Sequence, residues 1–204
     1  MEKKNLSKIS NFYIHEVPYK GKNGLYGRIC TGIYLKELIL ENEVYFPAKL
    51  AYEDLLWEHI MILYIKNICI VDKIFYHYYV NQNSTIHTKN APHHIEQLPI
   101  EILKLEEYKK RGAFDIFYTL IEHNFIKWFF LEPLYIIFAK FDYIPDIINF
   151  MKDKVHFFFP NFKNELDTSN FNDLDKIMLR LLYIDGEIKP EMLEEVKKLY
   201  LETL

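Results

Sequence analysis

From Leu55 onward the apolar residues Leu55, Leu56, Ile60, Leu63 and Tyr64 recur close to every 3.6 positions. That period predicts a helix that opens at Glu53 and ends near Lys66-Asn67. The run from Ile33 to Glu43 has a similar period, which assigns Ile33, Leu35, Leu38 and Ile39, with Val44 beyond them, to a buried side. Asn42 is placed to close this helix, because Asn tolerates a left-handed C-terminal residue. Pro47 prevents its continuation and holds the approach to Glu53 extended. The pattern then changes. Ile68-Cys69-Ile70-Val71 is a short unbroken apolar run suited to a buried strand. After the break at Asp72-Lys73, Phe75 to Val80 has the aromatic and β-branched composition of a second strand. Alternation would set Phe75, His77 and Tyr79 against Tyr76, Tyr78 and Val80. A polar loop, Asn81-Gln82-Asn83-Ser84-Thr85, follows.

From about His94 the period is helical and stays so. Helices are predicted over Ile95 to Arg111, stopped by Gly112, then Ala113 to Phe130, Leu134 to Lys140, Pro145 to Lys154, Leu174 to Tyr183 and Pro190 to Thr203. Asp173 and Pro190 stand where capping preferences place them, at helix starts. Residues 1 to 23 are polar and irregular. Gly24, Gly27 and Gly32 do not make a phosphate loop, because no GK[ST] and no preceding apolar strand accompany them. The pattern therefore predicts an α/β segment up to about residue 90 followed by an α-helical region. Two or three strands are too few for a self-sufficient sheet, so the expectation is a sheet that is incomplete or is completed outside the chain.

Composition narrows the class. In 204 residues, 50% hydrophobic and 17% aromatic, there is material for a globular core. The net charge of -4 offers no basic face for nucleic acid. Cys30 and Cys69 lack CxxC spacing and read as buried free thiols in a reducing compartment. The start of the chain shows no apolar signal-peptide core, and the richest apolar run, Phe125 to Ile148, is broken by Lys127, Glu132, Lys140, Asp142 and Asp146. A cytoplasmic protein is the expectation.

Several side-chain groups invite chemistry and have plainer readings. By position alone, Glu53 and Asp54 form an acidic first turn, favoured by the helix dipole. Glu58-His59 reads as an exposed face of the same helix. His93-His94 with Glu96 lacks a third ligand at a defined offset and reads as a surface pair at a helix start. Asp173-Leu174-Asp175 spells a DxD but falls at a helix start, so it reads as a cap. Trp57, Trp128 and the aromatics of 125 to 141 suit core packing better than contact with a sugar or a membrane.

One ordered set of segments carries more. Gly24-Leu25-Tyr26-Gly27-Arg28-Ile29 is followed by Tyr34-Leu35-Lys36-Glu37-Leu38-Ile39-Leu40-Glu41-Asn42, then Phe46-Pro47 and Tyr52-Glu53-Asp54. Next come Ile68-Cys69-Ile70-Val71-Asp72, Phe75-Tyr76-His77-Tyr78-Tyr79 and Asn83-Ser84-Thr85-Ile86-His87. Over roughly residues 24 to 95 this succession resembles the acceptor-side half of bacterial family 2 glycosyltransferases, which have the GT-A fold. The resemblance implies a partial GT-A acceptor-side segment over 1–92 and a helical C-terminal region over 93–204. It implies Asp54 as the general base for an acceptor hydroxyl in an inverting transfer, Glu53 as its neighbour, and a loop with Ser84 and His87 that closes over the donor diphosphate. Where the family often carries Arg, this chain has Val80-Asn81-Gln82. The family's nucleotide-sugar site and metal-binding DxD precede the ED motif, and no such pattern stands before Glu53 here. The expectation is then a portion without its own donor site, inactive alone. Its partners would be a sugar acceptor, a missing N-terminal half and peripherally the inner face of the membrane, without nucleic acid. No metal site is expected in this chain, Mn or Mg arriving with the nucleotide-sugar only in an intact enzyme. The competing reading is a non-catalytic helical interaction module in which Glu53-Asp54 merely opens a helix.

Overall fold

The computed structural model describes residues 29–67, 74, 76, 77, 79, 81, 84 and 87–203. The chain divides into two compact units, Met1–Asn81 with Ile102–Ile116, and Gln82–Glu101 with Phe117–Leu204. All regular structure among the described residues is helical. The expected α/β segment with a partial GT-A-like sheet is therefore overturned. The Ile68 to Val71 strand lies outside the described residues, as do positions 75, 78 and 80 of the second. Tyr76, His77 and Tyr79 are described, exposed and not in a strand. Strand-like composition measures fitness for a pleated, half-buried surface, and without a neighbouring ladder it does not make a strand.

In the first unit, α1 (Lys36–Glu41) has six residues and buries none of them fully. Ile33 and Leu35, expected inside, are exposed, because the chain is extended at Leu35 and the helix starts after it. Asn42 does close α1, though through its side chain, which donates to the Leu38 carbonyl at 2.7 Å. Glu43, not Asn42, takes the left-handed conformation, with φ 50°. The second helix, α2 (Glu53–Met61), turns Leu56, Trp57, Ile60 and Met61 inward. The long helix α3 (Gln97–Lys110) contributes its second half to this unit and its first residues to the other. It ends as the sequence predicts. Gly112, at φ 69°, donates its N–H to the Lys109 carbonyl, and Ala113 donates to Tyr108 at 2.8 Å, a Schellman closure.

The second unit is built on one unbroken helical run. α4 (Tyr118–Phe125) passes through a π-helical turn, Ile126–Leu131, into α5 (Glu132–Lys140). The pattern predicts a break here, at Pro133, which has no N–H and would crowd the carbonyl four residues back. The wider turn absorbs that defect. The Glu132 N–H reaches back five residues to Lys127, and the helical assignment runs on into α5. The residues of this run supply the core: Phe125, Ile126, Phe129, Phe130, Leu131, Leu134 and Ile137 are all buried. Phe125 stacks on Phe129, ring centroids 4.5 Å apart. The aromatics between 125 and 141 thus serve packing. α6 (Ile147–Phe158) adds Ile148, Met151 and Val155. A short α7 (Phe162–Glu165) leads to α8 (Asp173–Leu179). In α9 (Pro190–Glu202), Pro190 opens the helix and Leu193, Val196 and Tyr200 form the buried stripe.

Candidate functional site

The segment entering α2 is fixed from three directions within the first unit. Trp57, 3% exposed, donates its indole N–H to the Val44 carbonyl at 3.1 Å. Phe46 stacks on the Trp57 ring at 5.6 Å with planes 16° apart, and Tyr34 meets it edge-on at 4.7 Å. From the turn just after α3, Arg111 donates to the Asn42 carbonyl at 2.7 Å, to the Glu43 carbonyl at 3.1 Å and to the Tyr64 hydroxyl at 2.7 Å. Glu107 holds the same guanidinium at 2.9 Å. A planar five-donor group is suited to this work, since one side chain can satisfy two orphan carbonyls at a helix end.

Between these anchors the backbone visits the left-handed region at Glu43, Lys49 and Tyr52, with φ of 50°, 60° and 61°. For a non-glycine residue this conformation costs of order 1–2 kcal/mol. Tyr52 stands at the N-cap of α2, and its carbonyl accepts the first turn's N–H from Leu55 at 3.0 Å. Glu53 and Asp54 follow as the first two helical residues. Glu53 is exposed and Asp54 half-buried, with one Asp54 oxygen accepting the Leu55 N–H at 3.0 Å. Among the described residues the second Asp54 oxygen accepts no hydrogen bond.

Ser84 and His87 belong to the second unit, apart in chain and unit from Glu53 and Asp54. Ser84 is half-buried, and its carbonyl accepts the His87 N–H at 3.0 Å; His87 is exposed. Asn83, Thr85 and Ile86 of that loop lie outside the described residues.

Two histidines sit differently from their sequence reading. His59 is not on an exposed face. It is half-buried, in a dense protein surround, and its Nδ1 donates to the Leu55 carbonyl at 2.7 Å. Burial, reinforced by the nearby Lys104 charge, lowers it to about 3, against the pull of that backbone bond. His94 is buried within a 3₁₀ turn, Pro92–Ile95, with Nε2 against the Thr88 carbonyl and its ring beside His93. No hydrophobic period announces either, because a single imidazole satisfied by a carbonyl leaves no pattern.

The DxD at Asp173-Leu174-Asp175 is absorbed by structure. Asn172 caps α8 by accepting from Asp175 N–H at 2.7 Å, and the Asp175 carboxylate returns the bond to Asn172 N–H, a capping box. The same buried carboxylate accepts from Lys127 at 2.9 Å and from the Tyr135 hydroxyl at 3.0 Å. Burial pushes the Tyr135 hydroxyl well above the usual phenol range, and the Asp175 charge adds to it. Every lone pair of Asp175 that can be counted is spoken for within the fold.

A cleft of about 450 Å³ runs between α6 and the 184–187 segment. Its polar walls are occupied with backbone. Lys152 donates to the Ile184 and Gly186 carbonyls, His156 pairs with Leu182 at 2.8 Å, and Asn149 exchanges bonds with Ile188. Among the described residues, no group of three or more His, Cys, Asp or Glu is placed to hold a metal ion. Likewise, no helix among them is long and apolar enough to cross a membrane. Comparison with protein-family models, with curated proteins and with solved structures finds no match to the chain.

Proposed function

We propose that this chain supplies the acceptor-side carboxylate of a glycosyl transfer, with Asp54 as the base for an acceptor hydroxyl and the nucleotide-sugar site carried elsewhere. The observation that supports the reading is the seat of Asp54. It is a half-buried carboxylate in the first turn of α2. It follows a rigidly anchored loop that contains three left-handed non-glycine residues. Strain of this kind persists where surrounding contacts over-determine it, and it concentrates at sites that must be preorganised. A base of this type contributes about a hundred- to ten-thousand-fold in rate. Ser84 and His87 are kept as donor-side candidates, with cytoplasmic placement and any Mn or Mg arriving with the nucleotide-sugar.

The test uses the whole chain. On an array of bacterial surface oligosaccharides it should retain glycans, and Asp54→Asn should weaken retention about tenfold. Calorimetry with UDP-sugars and Mn²⁺ should show no heat of binding. Micromolar UDP-sugar binding would overturn the split between donor and acceptor sides. An array on which native and Asp54→Asn chains behave alike would overturn the role of Asp54. That second outcome favours the competing reading, a non-catalytic helical interaction module, which draws support from the wholly helical structure of the described residues.

A further inference from the structure

Between α8 and α9 the chain passes through Ile184-Asp185-Gly186-Glu187. The buried Lys152 of α6 donates its ammonium to the carbonyls of Ile184 and Gly186. Just beyond, Asn149 exchanges hydrogen bonds with the Ile188 backbone. Asp185 stands between the two held carbonyls, and its side chain is 102% exposed. Lys163 lies 3.8 Å from its carboxylate, a surface pair of little energetic weight. Gly186 is exposed too, in the left-handed region at φ 80°. Among the described residues, the Gly186 N–H donates no hydrogen bond. Apart from its chain neighbours, no atom lies within 4 Å of the place a Gly186 Cβ would occupy. A solvated carboxyl group is thus followed directly by an amide nitrogen that is unpaired and unshielded, as only glycine leaves it. No other Asp-Gly or Asn-Gly step occurs among the described residues.

We propose that Asp185-Gly186 is a site of spontaneous backbone isomerisation, at which Asp185 converts to a β-linked isoaspartate. The Gly186 nitrogen attacks the side-chain carboxyl carbon of Asp185. A carbon–nitrogen bond forms, the bond from that carbon to its hydroxyl breaks, and the hydroxyl leaves with the amide proton as water. The product is a five-membered cyclic imide. Water then adds to the carbonyl carbon of the original main chain and breaks its bond to nitrogen, so the chain runs on through the former side chain. Addition at the other carbonyl restores Asp185. The water lost is regained, and the mass does not change. The β-linkage inserts one methylene between the Ile184 and Gly186 carbonyls, the two acceptors of Lys152. Drawing either away leaves a buried ammonium short of an acceptor, so the isomerised chain is the less stable form. This chemistry is independent of the glycosyl-transfer reading.

The experiment ages the full chain, folded, at neutral pH and physiological temperature, and follows the tryptic peptide 181–197, which stays whole across Lys189-Pro190 because trypsin does not cleave before proline. Chromatography should resolve two species of equal mass. The new one should carry the β-linkage by electron-transfer fragmentation and accept a methyl group from an isoaspartyl methyltransferase. The aged chain should melt earlier than the fresh one. Asp185→Glu, whose imide ring would be one atom larger, should lose the second species and hold its melting temperature on ageing. Asp185→Asn should close the same imide with release of ammonia, seen as a gain in peptide mass. Both substitutions fall on a fully exposed side chain. A single species from the aged folded chain overturns the proposal, even where the chain aged in urea isomerises, since the fold would then shield the step. An Asp185→Asn peptide that keeps its mass overturns it as well. An isomerised chain that melts with the fresh one overturns the role given to Lys152.

Discussion

At the scale of single residues, His59 and Arg111 carry information that neither neighbour in sequence announces. His59 is held neutral because its surround penalises the charged ring and Lys104 adds a like charge. The consequence for stability has a definite sign. The folded-state value of about 3 lies below the ordinary 6.5, so between those limits the unfolded chain binds a proton that the folded chain does not. The contribution is fully present above 6.5 and is lost as pH falls toward 3. Urea unfolding should show this group adding up to about 1.4 kcal/mol of stability per pH unit across the window. His59→Asn, which keeps a donor for the Leu55 carbonyl, should flatten that slope. A native chain whose stability is level from pH 6.5 to 4 would contradict the assignment.

At the scale of elements, the ends of helices and the defect in the middle of one decide the architecture. Gly112 closes α3 in a left-handed conformation with no atom near the position a Cβ would occupy. The cost of a side chain there is therefore conformational and not steric. Gly112→Ala should destabilise the chain by about 1 kcal/mol, read as a lower denaturation midpoint at unchanged slope. Gly112→Asn should recover part of the loss, because Asn tolerates the same conformation. The turn at Ile126–Leu131 shows the converse case, in which a proline signal for a break is overridden. Burial of Phe129, Phe130 and Leu131 on that turn outweighs the irregular hydrogen bonding.

At the scale of the whole molecule, the two units each hold one of the two tryptophans, Trp57 in the first and Trp128 in the second. That offers a clean readout of the Arg111 clamp. In a Trp128→Phe background, Trp57 fluorescence reports the first unit. Arg111→Met would leave the Asn42 and Glu43 carbonyls without their donor. The expected loss is about 2–4 kcal/mol, seen as an earlier Trp57 transition. Far-UV circular dichroism, which the helices of the second unit dominate, should move less. Equal shifts by both probes would show that the clamp acts on the entire chain and not on the loop that presents Asp54.

Much of the helical content was legible along the chain, because the signals that carry it act within four residues. The opening of α2 at Glu53, the stop at Gly112 and the start at Pro190 are all of this kind. The absence of a sheet among the described residues was not legible, since the aromatic run at 75–80 looks the same whether or not a ladder exists to receive it. The burial of His59, the left-handed Tyr52 and the reach of Arg111, just past α3, to residues 42 and 43 depend on positions far apart in sequence. So does the outward turn of Phe157, whose place on α6 follows from the helix running past Lys154. Local propensity writes the beginnings and ends of helices; only packing between distant residues determines which of their faces meets protein and which meets solvent.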